Sequence, residues 1–204
     1  YSRDGDWSES YIIDLMAHHL AVQARQPNLA GTAQWVYKDF GTPLRPENPL
    51  PYVNQKGVVD RDGTPKDVYY VFQAFQSDTP VVRIESSGWP LRVVEPGETF
   101  TVRVITNCER VALSVNGQPQ SEQMIHNDNA AVLCWEVGPY PPGDYTFEAV
   151  GYRDGAVCAR HTVKQTLTVG NVGVIEGYTV SYVDDCIVIQ LVDRVPAGEV
   201  PELR

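Results

Sequence analysis

The sequence predicts two segments of different character: an α/β segment over residues 1–78, then an all-β sandwich over residues 79–170. Residues 171–204 read as the start of a further β module or a C-terminal extension. Two observations carry this division. Before position 78, apolar residues twice recur at helical spacing, on either side of a short apolar run bounded by turn residues. From Thr79 onward the repeat becomes period two, broken at short intervals by turn signals built on Gly, Pro, Asn and Asp.

The first helix is expected from Ser8 to Arg25. Ser8 suits the N-cap, and Ile12, Leu15, Met16, His19 and Val22 fall on one face. Pro27 and Asn28 end it. The run Leu29 to Tyr37 is short and apolar, the pattern of a buried strand. A loop from Gly41 to Tyr52 follows, with prolines at 43, 46, 49 and 51. Loops of this length are disproportionately functional. Thr64-Pro65-Lys66-Asp67 then predicts a helix start, with Thr64 as N-cap, Pro65 first in the helix and Asp67 as a capping-box acid. Val68, Tyr69, Val71, Phe72 and Phe75 give that helix a broad apolar face.

In the β part, strands are expected at 81–85, 91–94, 100–105, 111–115, 131–137, 145–150, 156–163 and 165–169. Glu95-Pro-Gly, Asn116-Gly, Pro142-Gly-Asp and Arg153-Asp-Gly supply the turns. About seven short strands in about ninety residues fit an immunoglobulin-like sandwich. Two more strands are expected between Tyr178 and Asp193.

The 204 residues carry a net charge of −10, which argues against nucleic acid as a partner, short of a local basic patch. No apolar run approaches the ~20 residues that span a bilayer, so no membrane partner is expected. Cys108, Cys134, Cys158 and Cys186 lie far apart with no CxxC, which argues against a zinc knuckle and leaves buried thiols or one disulfide open. His18 and His19 are adjacent rather than four apart, so they do not form a helical metal pair. Asp4, Asp6 and Glu9 read as helix-dipole charges, and Asp184-Asp185 as a solvated turn. Nucleophile-elbow, zincin, P-loop and dinucleotide motifs are absent.

The stretch from Gly31 to Phe75 is more specific. Trp35 comes at the end of the strand, Asp39-Phe40 follow, then Asn54-x-Lys56-Gly57, Asp60-Arg61-Asp62 and Pro65-Lys66. This ordered series resembles the end of the barrel domain in family 2 glycoside hydrolases, in particular β-glucuronidases and related β-galactosidases. The preceding helix suits the seventh helix of such a barrel. The β-rich part resembles the immunoglobulin-like domains that follow it in many of these enzymes.

The resemblance implies that residues 1–78 are the last helix–strand–helix of a TIM barrel, with 29–37 as its eighth strand. Barrel enzymes build their sites at the C-terminal ends of strands. Trp35 lies there, and in the family this Trp lines the pocket of the cleaved sugar, where an indole stacks on the apolar face of the ring. In the glucuronidase branch the Asn-x-Lys pair, here Asn54 and Lys56, binds the uronic acid carboxylate. An ammonium and an amide suit that anion, whereas the neutral hydroxymethyl of a galactoside gains less from Lys56. Trp35, Asn54 and Lys56 are therefore the expected substrate-binding residues. Lys38, Asp39 and Arg45 are expected to brace the loop as an ion-paired set.

A retaining glycosidase needs two carboxyl groups about 5–5.5 Å apart. The resemblance places both before Tyr1, and Glu9, Glu47 and Glu85 stand in other contexts. No catalytic residue is assigned to this chain, and no cofactor or metal is expected. The expected function is thus a C-terminal share of a retaining exo-β-glycosidase, with β-glucuronides first and β-galactosides second. Its partners are a carbohydrate substrate and the N-terminal remainder of the same enzyme. A strand and two helices without barrel neighbours leave apolar faces, so a homo-oligomer stays open. A reading from another class is a non-catalytic carbohydrate-binding or structural module with Trp89, Trp135 and Tyr140 as its aromatics. The ordered motifs favour the glycosidase.

Overall fold

The computed structural model describes residues 9–46, 50–94, 96–126, 130–168, 175–183 and 186–193. Helix α1 (Glu9–Ala24) buries Ile13, Met16 and Leu20, while His19 and Val22 face solvent. The buried stripe is thus narrower than the apolar pattern implied. Ser8, Asp4 and Asp6 lie outside the described residues. Helix α2 (Asp67–Gln76) packs Val68, Val71 and Ala74 against α1, and Val58, Val81, Ile105 and Ala130 complete this core.

Two expectations for this segment are corrected. Lys66, not Thr64, is the N-cap of α2, and it makes no side-chain cap bond. Thr64 is committed elsewhere: its N–H donates to Asp60 Oδ1 (3.0 Å) and Asp62 Oδ1 (2.8 Å), and its hydroxyl to Asp62 Oδ1 (2.6 Å). This local side-chain turn competes with the cap and wins. Asp67 does not fold back as a capping-box acid either. Its carboxylate accepts from the Ser86 N–H at 2.6 Å and from Arg83 at 3.3 Å.

The second correction concerns residues 29–37, which form no strand. Near the segment's start the Thr32 hydroxyl donates to Gln23 Oε1 (2.6 Å), and at its end Val58 N–H donates to the Val36 carbonyl (3.1 Å) and Val59 N–H to that of Tyr37 (2.9 Å). Lys38 then forms a single parallel bridge with Val59. A strand exists through its partner's ladder, and among the described residues no strand lies alongside this run. Beyond it, β1 (Phe40–Gly41) pairs antiparallel with β2 (Val53–Asn54) and closes the proline-rich loop at its base.

The β part is a sandwich of two sheets. One contains β3 (Val82–Ile84), β5 (Phe100–Thr106) and β8 (Ala131–Val137) in the order β3-β5-β8. The other contains β4 (Leu91–Val93), β6 (Arg110–Val115), β7 (Gln118–Met124), β9 (Gly143–Arg153) and β10 (Ala156–Thr168), in the order β4-β10-β9-β6-β7. β4 runs parallel to β10, and the remaining pairs are antiparallel. Asn116-Gly117 and Asp154-Gly155 turn with positive φ at both positions (48° and 75°, 52° and 75°), the geometry of two-residue hairpin loops. The two runs expected at 156–163 and 165–169 are one strand, β10. β7 was not expected: QPQSEQM has no apolar alternation, because it is an edge strand with little to bury. β11 (Ile175–Val183) and β12 (Cys186–Asp193) pair as a separate hairpin, and Asp184-Asp185 lie outside the described residues.

β5 is buried on both faces. Val102 and Val104 join Trp135, Val137 and Phe147 in the sandwich core, while Ile105 belongs to the helical core. The result is three layers, helices on a small sheet on a larger sheet. Polar groups cross the first boundary: Arg103 pairs with Glu85 (3.2 Å) and with Asp14 of α1, and the Ser10 hydroxyl donates to Glu85 (2.6 Å).

Candidate functional site

The chemistry expected of this chain centres on the turn Asn54–Gly57. Asn54 Oδ1 accepts the Lys56 N–H at 3.1 Å, a short-range turn closed by a side chain. Gly57 N–H donates to Asp39 Oδ1 at 2.7 Å. The Lys66 ammonium reaches both Asp39 oxygens (2.9 and 2.8 Å) and the Gln55 carbonyl (3.0 Å). One buried carboxylate, 7% exposed, therefore holds the turn through its backbone and through Lys66. Position 57 admits only glycine. A Cβ there would lie 2.4 Å from Asp39 N, from Asp39 Oδ1 and from Val59 O.

Trp35 stands across from this turn, 69% exposed, its ring edge-on to Phe40 at 6.1 Å. Between them is a cavity of about 450 Å³ lined by Glu9, Tyr11, Ile12, Leu15 and Met16 of α1, Gln34, Trp35, Gln55, Lys56, Gly57 and Lys66. The structure thus brings Trp35 and Lys56 to one cavity. Asn54 does not line it and acts on it by shaping the turn that carries Lys56. Glu9 forms the opposite wall. Burial raises its carboxyl above the ordinary carboxylate value, the nearby Asp67 adds to that, and Lys66 opposes it.

Of the three residues expected to brace the loop, Asp39 makes the brace, and the cation it holds is Lys66. Nothing local in the sequence marks Lys66 as the partner, because the pair spans 27 positions. Near a helix start Glu9 reads as a dipole charge, and its place on the cavity wall follows from how α1 docks. A larger cavity, about 660 Å³, is lined by Met16, Leu20, Leu29, Tyr37, Val58 and Phe72 among others, with His18 and His19 also in its wall. It contains none of Trp35, Asn54 and Lys56.

The aromatics of the binding-module reading do not share a face. Trp135 is 3% exposed and its indole N–H donates to the Ser121 carbonyl. Tyr140 packs on Phe100 and Tyr145 against the sandwich core. Trp89 alone of the three is exposed.

The cavity thus lies in a helical layer backed by a β-sandwich. Comparison with known proteins shows what this arrangement is similar to. Residues 97–159 match a family described as a domain of unknown function, DUF4982. A Formosa agariphila protein named "Putative beta-glucuronidase" is 44% identical over 149 residues, which is 72% of this chain and 18% of that protein. The apo structure of Bacteroides uniformis β-glucuronidase 3 superposes with a TM-score of 0.76 at 40% identity, covering 94% of this chain and 25% of that one. Bacteroides uniformis β-glucuronidase 2, solved covalently bound to cyclophellitol-6-carboxylate aziridine, superposes at 0.69 with 25% identity, over 97% of this chain and 25% of that one. Over most of its length the chain is homologous to a segment of the bacterial β-glucuronidases of glycoside hydrolase family 2. It spans about a fifth to a quarter of the length of these relatives.

Proposed function

We propose that this chain is the C-terminal part of a retaining family 2 exo-β-glycosidase that hydrolyses β-glucuronides. In this reading residues 1–78 complete a (β/α)₈ barrel, 79–170 form the immunoglobulin-like domain behind it, and 171–204 begin a further β module. The two catalytic carboxyl groups stand on the N-terminal remainder of the same enzyme. The run 29–37 becomes the eighth strand once the neighbouring strands are present, and the rest of the barrel covers the apolar cavity beside it.

The observation that carries the reading is the joint presence of Trp35 and Lys56 on one cavity, with Asn54 closing the turn beneath Lys56. In this reading the indole offers a face for the sugar ring, and the Lys56 ammonium donates to a carboxylate on that ring. The relative that holds a 6-carboxylate inhibitor covalently supports both the uronate and the retaining, covalent-intermediate parts of the reading.

Lys56→Ala in the whole enzyme tests it. A lost charge-assisted hydrogen bond of ~2–4 kcal/mol corresponds to a fall of roughly 30- to 1000-fold in kcat/KM on a nitrophenyl β-glucuronide. The matching β-galactoside should change by less than about threefold. Equal losses on both substrates would remove the uronate reading and leave Lys56 a structural residue of the loop.

A further inference from the structure

Cys108 lies in the short connection between β5 and β6. It is fully buried, and its backbone N–H donates to Thr106 Oγ1 at 3.0 Å. Cys158 comes from β10, where the register with β9 slips: Val157 pairs with Tyr152, Ala159 pairs with Gly151, and Cys158 is the extra residue. A bulge turns a side chain away from the face that strict alternation would give it. Here it sets Cys158 and Ala159 in succession against the sandwich core, although Val157 and Arg160 on either side are exposed. The two sulfurs meet at 3.3 Å, fifty positions apart in sequence. A disulfide forms at about 2.05 Å, so side-chain rotation has only the remaining gap between the sulfurs to close.

We propose that Cys108 and Cys158 are a dithiol couple that closes to a disulfide by exchange with a small-molecule disulfide. Cys158 is half-buried whereas Cys108 is fully buried, so the first exchange falls to Cys158. Its thiolate attacks one sulfur of the external disulfide, that S–S bond breaks, and the first external thiol leaves with a proton. The Cys108 thiol then gives up its proton and attacks the Cys158 sulfur, and the second external thiol leaves. Two protein thiols are oxidised to one disulfide, and one external disulfide is reduced to two thiols. Burial pushes the Cys108 thiol up to about 11, so the closing step accelerates as pH rises.

The crosslink falls at the junction of the two parts of the fold. Beside Cys108, the Asn107 amide donates to the Ser77 and Thr79 carbonyls (2.9 Å each) and accepts the Val81 N–H (2.8 Å). Arg153 donates to the carbonyls of Asp78 and Asn107. Closing the disulfide ties β10 to the turn that grips residues 77–81 where the chain passes from α2 into β3. The couple is therefore a redox-set latch on the seat of the helical layer, independent of what the cavity binds.

The test is to treat the reduced full chain with oxidised glutathione at about pH 8.5, quench by alkylation and map peptides without reduction. The expected result is a peptide pair linked through Cys108 and Cys158. A loop of this length should also raise Tm by about 10 °C, reversibly on adding dithiothreitol. Cys158→Ala should abolish both the link and the Tm rise, and Cys134→Ser, an exposed thiol on β8, should leave both intact. A glutathione adduct that persists on Cys158 without closing would overturn the proposal. So would two thiols that stay alkylatable while Cys134 is modified.

Discussion

Replacing Asp39 by Asn removes the charge that organises the cavity turn while keeping its shape. In the wild type one carboxylate accepts from Gly57 N–H at 2.7 Å and from the Lys66 ammonium through both oxygens. The side chains of Lys66 and Asp39 are 15% and 5% exposed. The amide keeps one acceptor oxygen and turns an N–H₂ toward a donor, so Lys66 loses its counter-charge in a site with little water. Breaking a buried pair from one side costs about 3–5 kcal/mol. Lys66 retains some exposure and its stem can swing outward, so the lower end, about 3 kcal/mol, is expected. That is a large share of the ~5–15 kcal/mol a domain has. The assay is urea unfolding followed by tryptophan fluorescence for wild type, Asp39→Asn, Lys66→Met and the double variant. Each single change leaves one charge without its counter-charge, and the double change leaves no charge at the site, so the double should be less unstable than the sum by about 2 kcal/mol. Costs that add within ~0.5 kcal/mol would refute the argument that this pair carries the turn.

Two further perturbations probe separate parts of the fold. Gly57→Ala places a methyl 2.4 Å from two backbone atoms and a held carboxylate oxygen, so it should cost about 2–3 kcal/mol in thermal unfolding. Gly31→Ala, with nothing within 4 Å of its Cβ, is the control and should stay within about 0.5 kcal/mol of wild type. His161, whose Nδ1 lies 3.1 Å from the Ile84 N–H, is lowered from 6.5 to about 4 by burial first and by the Arg83 charge second. The unfolded chain therefore takes up the proton before the folded one. The stability this confers is complete above about pH 6.5 and is lost as pH falls toward about 4. Subtracting the pH–stability curve of His161→Gln should isolate a sigmoidal fall in that window, and a flat difference would contradict it.

What the sequence made legible follows from the range of the interactions. Strands such as β5 and β6 and the turn at Asn116-Gly117 are local signals, period two ended by residues that tolerate positive φ, and they appear where expected. Trp35, Asn54 and Lys56 stand out through the family resemblance of the ordered motifs and not by any local rule; Trp35 and Lys56 share a cavity, and Asn54 does not line it. The misses have a different origin. Thr64 looks like a cap until Asp60 and Asp62 compete for its donors, and β7 has no pattern because its faces bury little. Residues 29–37 carry a strand's composition, but pairing is not a local property. The Asp39–Lys66 brace and the Cys108–Cys158 contact join positions 27 and 50 apart, with nothing periodic to reveal them.

The sandwich does more than follow the helices, because the wall of the cavity is seated on it. Glu9 and Ile12 reach the cavity from α1, and α1 is fixed to the β-sheet by Ser10 on Glu85 and by Asp14 on Arg103. Arg103 and Glu85 are themselves paired at 3.2 Å and almost fully buried, on neighbouring strands β5 and the end of β3. Buried ion pairs contribute little net stability compared with apolar packing, and their best-attested use is to fix register. Sliding α1 along the sheet by one helical turn would leave the Arg103–Glu85 pair intact but would remove both of its bonds from α1, Ser10 on Glu85 and Asp14 on Arg103. Apolar burial thus holds the helical layer on the sandwich, and the polar pair decides where along β5 it sits. Through that choice the sandwich sets the distance between the Glu9 wall and the turn that carries Lys56.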